Sequence, residues 1–234
     1  MLGVIINCIT IIAGSIIGMM FHKFIPKKIT DGIMTGIGLC TLYIGFDGAL
    51  KGDNTLVLII SISIGAVIGY LLDIDGKIAT LSKIITEKFS KEDDSSKAAQ
   101  GFITSSLIFC VGAMTIVGSI QSGVSGDHTL IITKSILDLI SALALSATFG
   151  IGVLLSCIFV FVFQGSLVLL SGLIAPYLTV TLQNEMICAG SVMIIALGLN
   201  ILGISKIKVA NYLPAMLIAP IITPMMNNFI SFIS

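Results

Sequence analysis

The sequence predicts an all-α protein, a polytopic transmembrane bundle of about eight spans whose pattern admits an inverted repeat. Three observations predict it. Apolar residues make up 56% of the 234-residue chain and charged residues only 10%, where a soluble domain carries about 25% charge. Mean hydropathy is +1.13. The twelve basic residues are all Lys, and they cluster between alternate apolar runs. So few charges cannot clothe a water-soluble globule of this size, and so apolar a chain does not stay disordered. Twelve Lys balance twelve acids, so no net field recruits nucleic acid. The expected partner is the lipid bilayer.

A helical crossing takes about 20 residues. The apolar runs divide into spans at 2–21, 33–50, 55–74, 100–120, 129–147, 150–172, 187–204 and 210–230, which together read as one transmembrane domain over 1–234. The first run is not expected to be a cleaved signal peptide, because the first base, Lys23, follows it. Alternate loops divide the lysines ten to two: Lys23, Lys27, Lys28, Lys77, Lys83, Lys88, Lys91, Lys97, Lys206 and Lys208 against Lys51 and Lys134. Positive loops stay in the cytoplasm, so both termini are expected outside. The segment 76–98 is expected to be cytoplasmic. Its Ile78, Leu81, Ile84, Ile85 and Phe89 share one helical face, the pattern of an amphipathic helix on a lipid surface. The solvated loop KEDDSSK follows at 91–97. Residues 174–185 read as an outer loop or shallow interfacial segment.

Internal repetition is visible. GLCTLYIGFDGALKGDNTL at 38–56 aligns without gaps to GAMTIVGSIQSGVSGDHTL at 112–130. A weaker copy, GLNILGISKIKVANYL at 198–213, aligns if its turn is shortened, and it faces the opposite side. Spans one to three and six to eight then form the candidate inverted pair, an architecture of many secondary transporters.

Charges inside spans carry the functional reading, because each costs roughly 2.5–3.5 kcal/mol by insertion scales. Lys134 and Asp138 are four residues apart in span five and so share a helical face. Asp127 is expected on the same stripe, with His128 beside it in the outer turn. Thr115, Ser119 and Gln121 of span four are expected to face the pair. Gly118 and Gly123 are the candidate break of that span, since non-helical backbone at membrane depth survives only against protein or water. Pro214, Pro220 and Pro224 remove backbone donors from span eight, which is expected to be bent or discontinuous. Asn7, Asn200 and Asn211 are supporting polar groups, and Gln164 reads as an interhelical hydrogen bond. Gly14/Gly18, Gly32/Gly36 and Gly65/Gly69 are small-residue packing faces. Cys8, Cys40, Cys110, Cys157 and Cys188 all fall in spans and form no metal-ligand spacing. No nucleotide loop, zinc motif or nucleophile elbow is present, so no cofactor, metal or enzymatic activity is expected.

The central run from GFITSSLIFCVGAMTIVGSIQSG through VSGDHTLIITKSILDLISALALSATFGIGVLLS resembles the signature of the YqgA-like bacterial inner-membrane family, called domain of unknown function 554. GVIINCITIIAGSIIG and ALGLNILGISKIKVANYLPA resemble its outer segments, so the likeness spans about 3–226. The resemblance implies a small multi-span protein of the bacterial cytoplasmic membrane and brings no substrate. Two functions are weighed ahead of a third, an intramembrane enzyme, for which the sequence shows no nucleophile–base pair. The first is a secondary transporter or channel-like carrier of a small polar or ionic solute, plausibly homodimeric, with Lys134 and Asp138 at its site and a water-accessible cavity touching Asp138. The second is a non-transporting scaffold or regulatory subunit, in which that pair is a static bridge in a tightly packed bundle.

Overall fold

The computed structural model describes residues 1–22, 27–80, 95–111, 113–176 and 179–233. Its helices are α1 (Leu2–His22), α2 (Lys27–Ala49), α3 (Thr55–Leu72), α4 (Ser95–Cys110), α5 (Ala113–Val124), α6 (Thr129–Phe149), α7 (Ile151–Leu169), the single turn α8 (Ser171–Ile174), α9 (Val180–Ile201) and α10 (Pro214–Ile233). A 3-10 turn, Val209–Tyr212, precedes α10. There is no strand among the described residues.

The molecule is a multi-pass helical membrane protein. Six of the described helical segments are long and apolar enough to cross a bilayer, and α4 with α5 makes a seventh when the bent pair counts as one span. Seven of the eight expected spans coincide with these segments, and the remaining one, 33–50, falls on α2, which is not among them. The distribution of side chains is inside out relative to a soluble domain. Asn7, Ser15, Thr115, Ser119, Gln164 and Glu185 are buried, while Ile9, Phe21, Val67, Ile140, Val162 and Ile221 are exposed. Lipid accepts the apolar exterior, and helices satisfy their own backbone groups in hydrocarbon. Most of the expected amphipathic helix and the polar loop, 81–94, lies outside the described residues; 74–80 is helical.

Helix ends follow local chemistry. The Asn54 side chain accepts from the Leu56 N–H at 3.0 Å and starts α3. Thr179 accepts from the Leu182 N–H at 3.3 Å and starts α9. The 174–185 region is therefore not all outer loop, because α9 begins at Val180. Gly150 alone separates α6 from α7, at φ +64°. A side chain there would be strained in the left-handed region, so glycine permits the abrupt reversal.

The chain forms two compact units. The first comprises Met1–Ile37 and Ile78–Tyr177. Within it α1 runs parallel to α6: Gly3 faces Ile131, Gly14 faces Leu139 and Ala142, and Gly18 faces Leu143 and Ser146. In contrast, α7 runs antiparallel to α1, with Met1 near Gly165 and Cys8 near Cys157. The Cys8 and Cys157 thiols each point at the other's backbone carbonyl, at 3.9 and 3.7 Å. Val4, Cys8, Ile131 and Val168 pack as a buried cluster.

The second unit comprises Gly38–Lys77 and Leu178–Ser234. Here α3 and α10 are antiparallel, with Gly65 against Ala215 and Gly69 against Asn211. From Gly38 onward α2 is antiparallel to α9: Gly38 meets Leu202, Gly45 meets Ile195 and Gly48 meets Ser191. Val57, Ala189 and Ala219 form its buried apolar cluster. Pro214 takes the first position of α10, where its missing N–H costs no helical bond. Pro220 and Pro224 lie inside α10, which continues through both. The discontinuity expected in span eight is therefore corrected: the irregular backbone is the 3-10 turn before α10.

Candidate functional site

Spacing alone builds the centre of the first unit. Lys134 and Asp138 are one turn apart on α6, and Lys134 Nζ donates to Asp138 Oδ2. Asp138 is about 14 Å from the start of α6 at 1.5 Å per residue, near the middle of that helix. The Lys134 ammonium also lies over the Phe109 ring, 5.8 Å from its centroid, within cation–π range. The Asn7 side chain lies beside the same carboxylate. Its Nδ2 also donates to Gln164 Oε1 at 3.2 Å. Helices α1, α4, α6 and α7 thus each give a side chain to one polar centre.

The break in span four adjoins this centre. Cys110, the last residue of α4, is close enough to feel the charges of both Lys134 and Asp138. The chain then bends by 61° into α5. A helix end leaves carbonyls without intrahelical donors. The Thr115 hydroxyl reaches back across the break and donates to the Phe109 carbonyl at 2.9 Å. The partial negative charge of the α4 carboxyl end favours a cation such as Lys134 nearby.

Several buried polar atoms around these helices have no hydrogen-bond partner: Asn7 Oδ1, Gln164 Nε2, and the hydroxyls of Ser15, Thr104, Ser106 and Ser119. Exposure separates the pair from its neighbours. Asn7, Thr115, Ser119 and Gln164 are wholly buried, while Asp138 keeps 5% and Lys134 7% of its surface open to a water-sized sphere. The open cavity expected at Asp138 is thus narrowed to a closed-in pair. A cavity of about 170 Å³ lies in the second unit, lined by apolar Ile62, Val192, Met193, Ala196, Ile207 and Val209, with Tyr212.

Four other expectations change. Gln121 is exposed and does not share the burial of Thr115 and Ser119. Asp127 is exposed in the turn before α6 rather than on its inward stripe, and its Oδ1 accepts from the Thr129 N–H at 2.9 Å. Hydrogen bonds from the Thr129 side chain and backbone hold its carboxyl below the usual range. His128 Nδ1 pairs with Ser122 Oγ at 2.8 Å, which closes the same turn. Gly118 and Gly123 do not break the helix. Gly118 admits Leu130 and Ile131 of α6, and Gly123 admits Val168 and Ser171. Residues 32 and 36 are not a packing face among the described residues, since a Cβ at either glycine meets nothing there within 4 Å.

Asn200 and Asn211 belong to the second unit, each with its own structural task. Asn200 accepts from Ser205 Oγ at 2.7 Å and from the Ile207 N–H at 2.9 Å, and it donates to the Ile207 carbonyl. It folds the loop after α9. The buried Asn211 accepts from the Asp75 N–H at 2.8 Å. Burial pushes the Asp75 carboxyl above its usual range, against the opposing pull of Lys208. Sequence reasoning missed Glu185, a carboxylate only 1% exposed within α9. Its Oε1 accepts from the backbone N–H groups of Asp53 and Asn54 at 2.9 and 2.7 Å. The available signal was Thr179, a helix-capping residue placed ahead of an apolar run.

A bundle of apolar spanning helices around buried polar side chains defines an integral membrane protein. The family model described as "Protein of unknown function (DUF554)" matches residues 2–224, and the chain belongs to that family. It is 33% identical to the uncharacterized membrane protein YdfK of Bacillus subtilis (strain 168), over 98% of both chains. It is 27% identical to the uncharacterized protein YqgA of Escherichia coli (strain K12), over 93% of this chain and 94% of the relative. No solved structure matches.

Proposed function

We propose that the protein is a carrier, or channel-like path, for a small polar or ionic solute across the bacterial cytoplasmic membrane. One observation carries the reading: an ion pair midway along a spanning helix, beside the end of a broken helix and next to buried amides with unpartnered atoms. Intramembrane charges are rare and mark solute or ion pathways by default. Broken helices with their ends at midplane are a recurring way to build such a site. Lys134 and Asp138 hold the solute, Asn7 and Gln164 orient it, and Thr115 and Ser119 line the α5 side. The narrow exposure of the pair makes this the closed state of the path. The same closure favours the scaffold as the second reading, with the pair as a fixed bridge.

Thiol accessibility separates the two. With Cys8, Cys40, Cys157 and Cys188 replaced by Ser or Ala, Cys110 reports water reaching the ion pair. Under the carrier reading a membrane-impermeant methanethiosulfonate modifies it in the folded protein. Protection from both sides, with labelling only after unfolding in detergent, leaves the scaffold.

The carrier is placed with both termini outside. The lysine segregation supports this, and the bonds of Glu185 with the 53–54 turn and of Asn211 with Asp75 fit the same alternation of spans without choosing a side. A tag after residue 234 is then labelled from outside intact cells; protection reverses the orientation. The inverted repeat belongs to the same reading. Its three candidate pairs, α1 with α7, α2 with α9 and α3 with α10, are each antiparallel neighbours. The third copy of the turn does not share the first copy's cap, because Asn211 accepts from Asp75 where Asn54 accepts from Leu56. The exposed Gly32 and Gly36 suit a homodimer contact, a GxxxG face in an apolar helix.

A further inference from the structure

We infer that Glu185 and the carboxyl end of α2 form a binding site for one small monovalent cation. Glu185 is 1% exposed, and its two oxygens differ. Oε1 is fixed by the Asp53 and Asn54 N–H groups. Oε2 is buried and has no partner. Ionised, Oε2 is a buried anion that receives no hydrogen bond of its own. A cation at Oε2 satisfies it.

The surroundings have the matching sign. The bond from Asp53 to Glu185 takes the N–H that lies four residues beyond Ala49. The Ala49 carbonyl therefore ends α2 without its helical donor and receives the weak thiol donor of Cys188, at 3.2 Å. Helix carboxyl ends carry partial negative charge, and unwound carbonyls beside a carboxylate are the hard oxygen set that alkali cations take. Gly52 keeps the approach open: a Cβ there would lie 3.6 Å from Oε2 and 2.6 Å from the Cys188 sulfur. The nearby Lys51 ammonium is paired with Asp47 at 3.1 Å. Among the described residues no lysine pairs with Glu185. One uncompensated carboxylate balances a single positive charge.

The site lies in the second unit and uses neither Lys134 nor Asp138, so it stands or falls apart from the carrier reading. The test is thermal unfolding of the purified, full-length protein in chlorides of Na⁺, Li⁺, K⁺ and N-methylglucamine at equal ionic strength. A ligand that binds only the folded state raises the midpoint by mass action. Na⁺ is expected to raise it saturably above the N-methylglucamine control. Glu185→Gln, which keeps an acceptor at the Oε1 position, is expected to abolish that rise. The Lys134→Met/Asp138→Leu variant is expected to keep it. Equal midpoints of the wild-type protein in all four salts overturn the site, whether or not the variant folds. A sodium response that survives in folded Glu185→Gln overturns the assignment to Glu185.

Discussion

Lys134→Met/Asp138→Leu is expected to give a folded protein that passes no current, while either substitution alone gives an unstable one. The reasoning starts from burial. Removing one partner of a buried ion pair strands a charge and costs about 3–5 kcal/mol. Asp138→Asn leaves the Lys134 ammonium with the Phe109 ring and no counter-ion, so a large loss of thermal stability is expected under either function. Loss of activity in that variant therefore says little by itself. Replacing both partners with apolar groups of similar volume is often neutral, or stabilising by about 1–4 kcal/mol. The double variant thus separates structure from function. Unfolding in detergent should show a midpoint near or above wild type. Ion-gradient-driven currents on solid-supported membranes should vanish if the pair is the site. A double variant that unfolds like wild type and still passes wild-type current makes the pair a structural bridge.

The contrast between Lys134–Asp138 and Asn7–Gln164 shows what a sequence discloses about such a site. The first pair is legible because a four-residue spacing guarantees a shared helical face, whatever the tertiary fold. The second joins residues 157 apart, and only the packing of α1 on α7 brings them together. Glycine is ambiguous in the same way. The glycine-rich stretch of span four is a candidate break, yet Gly118 and Gly123 serve close approach, and the bend comes earlier, after Cys110. One residue type answers both needs, so composition cannot place the break. Asp127 shows the limit of extrapolating a helical stripe: α6 starts at Thr129, and a residue before the first turn no longer follows the helical period. Glu185 ends the 174–185 stretch, whose polar residues Gln183, Asn184 and Glu185 give no apolar period to mark it as helix. The bonds that make a carboxylate tolerable there come from a turn 131 and 132 positions away, which no local pattern reveals.

The largest stability effect outside the ion pair is expected at Gly69. Extended past its 56/130 end, the gapless register of the two copies places Gly65 and Gly69 of α3 opposite Leu139 and Leu143 of α6. In each unit these are positions of close backbone approach. In the second unit the glycines are on α3 itself, facing Ala215 and Asn211; in the first they are Gly14 and Gly18 of α1, facing Leu139 and Leu143. The small residues thus sit on opposite partners in the two contacts, and the helices run antiparallel in the second unit and parallel in the first. Gly69→Ala places a methyl against the Asn211 backbone, which has no rotamer to yield. Overpacking costs typically 1–3 kcal/mol, and displacement of Asn211 also breaks its bond from the Asp75 N–H. A loss of about 3 kcal/mol lowers the midpoint by roughly 6–12 °C for a chain of this size. Gly32→Ala is the counterpart within the monomer: its Cβ meets nothing among the described residues, and alanine improves helix propensity by up to about 1 kcal/mol. Its midpoint should be unchanged or higher. Gly36→Leu should leave the monomer intact and reduce chemically crosslinked dimer, if that face joins two copies. Equal midpoints for Gly69→Ala and Gly32→Ala would show that the close contact of α3 with the segment before α10 does not hold the second unit together.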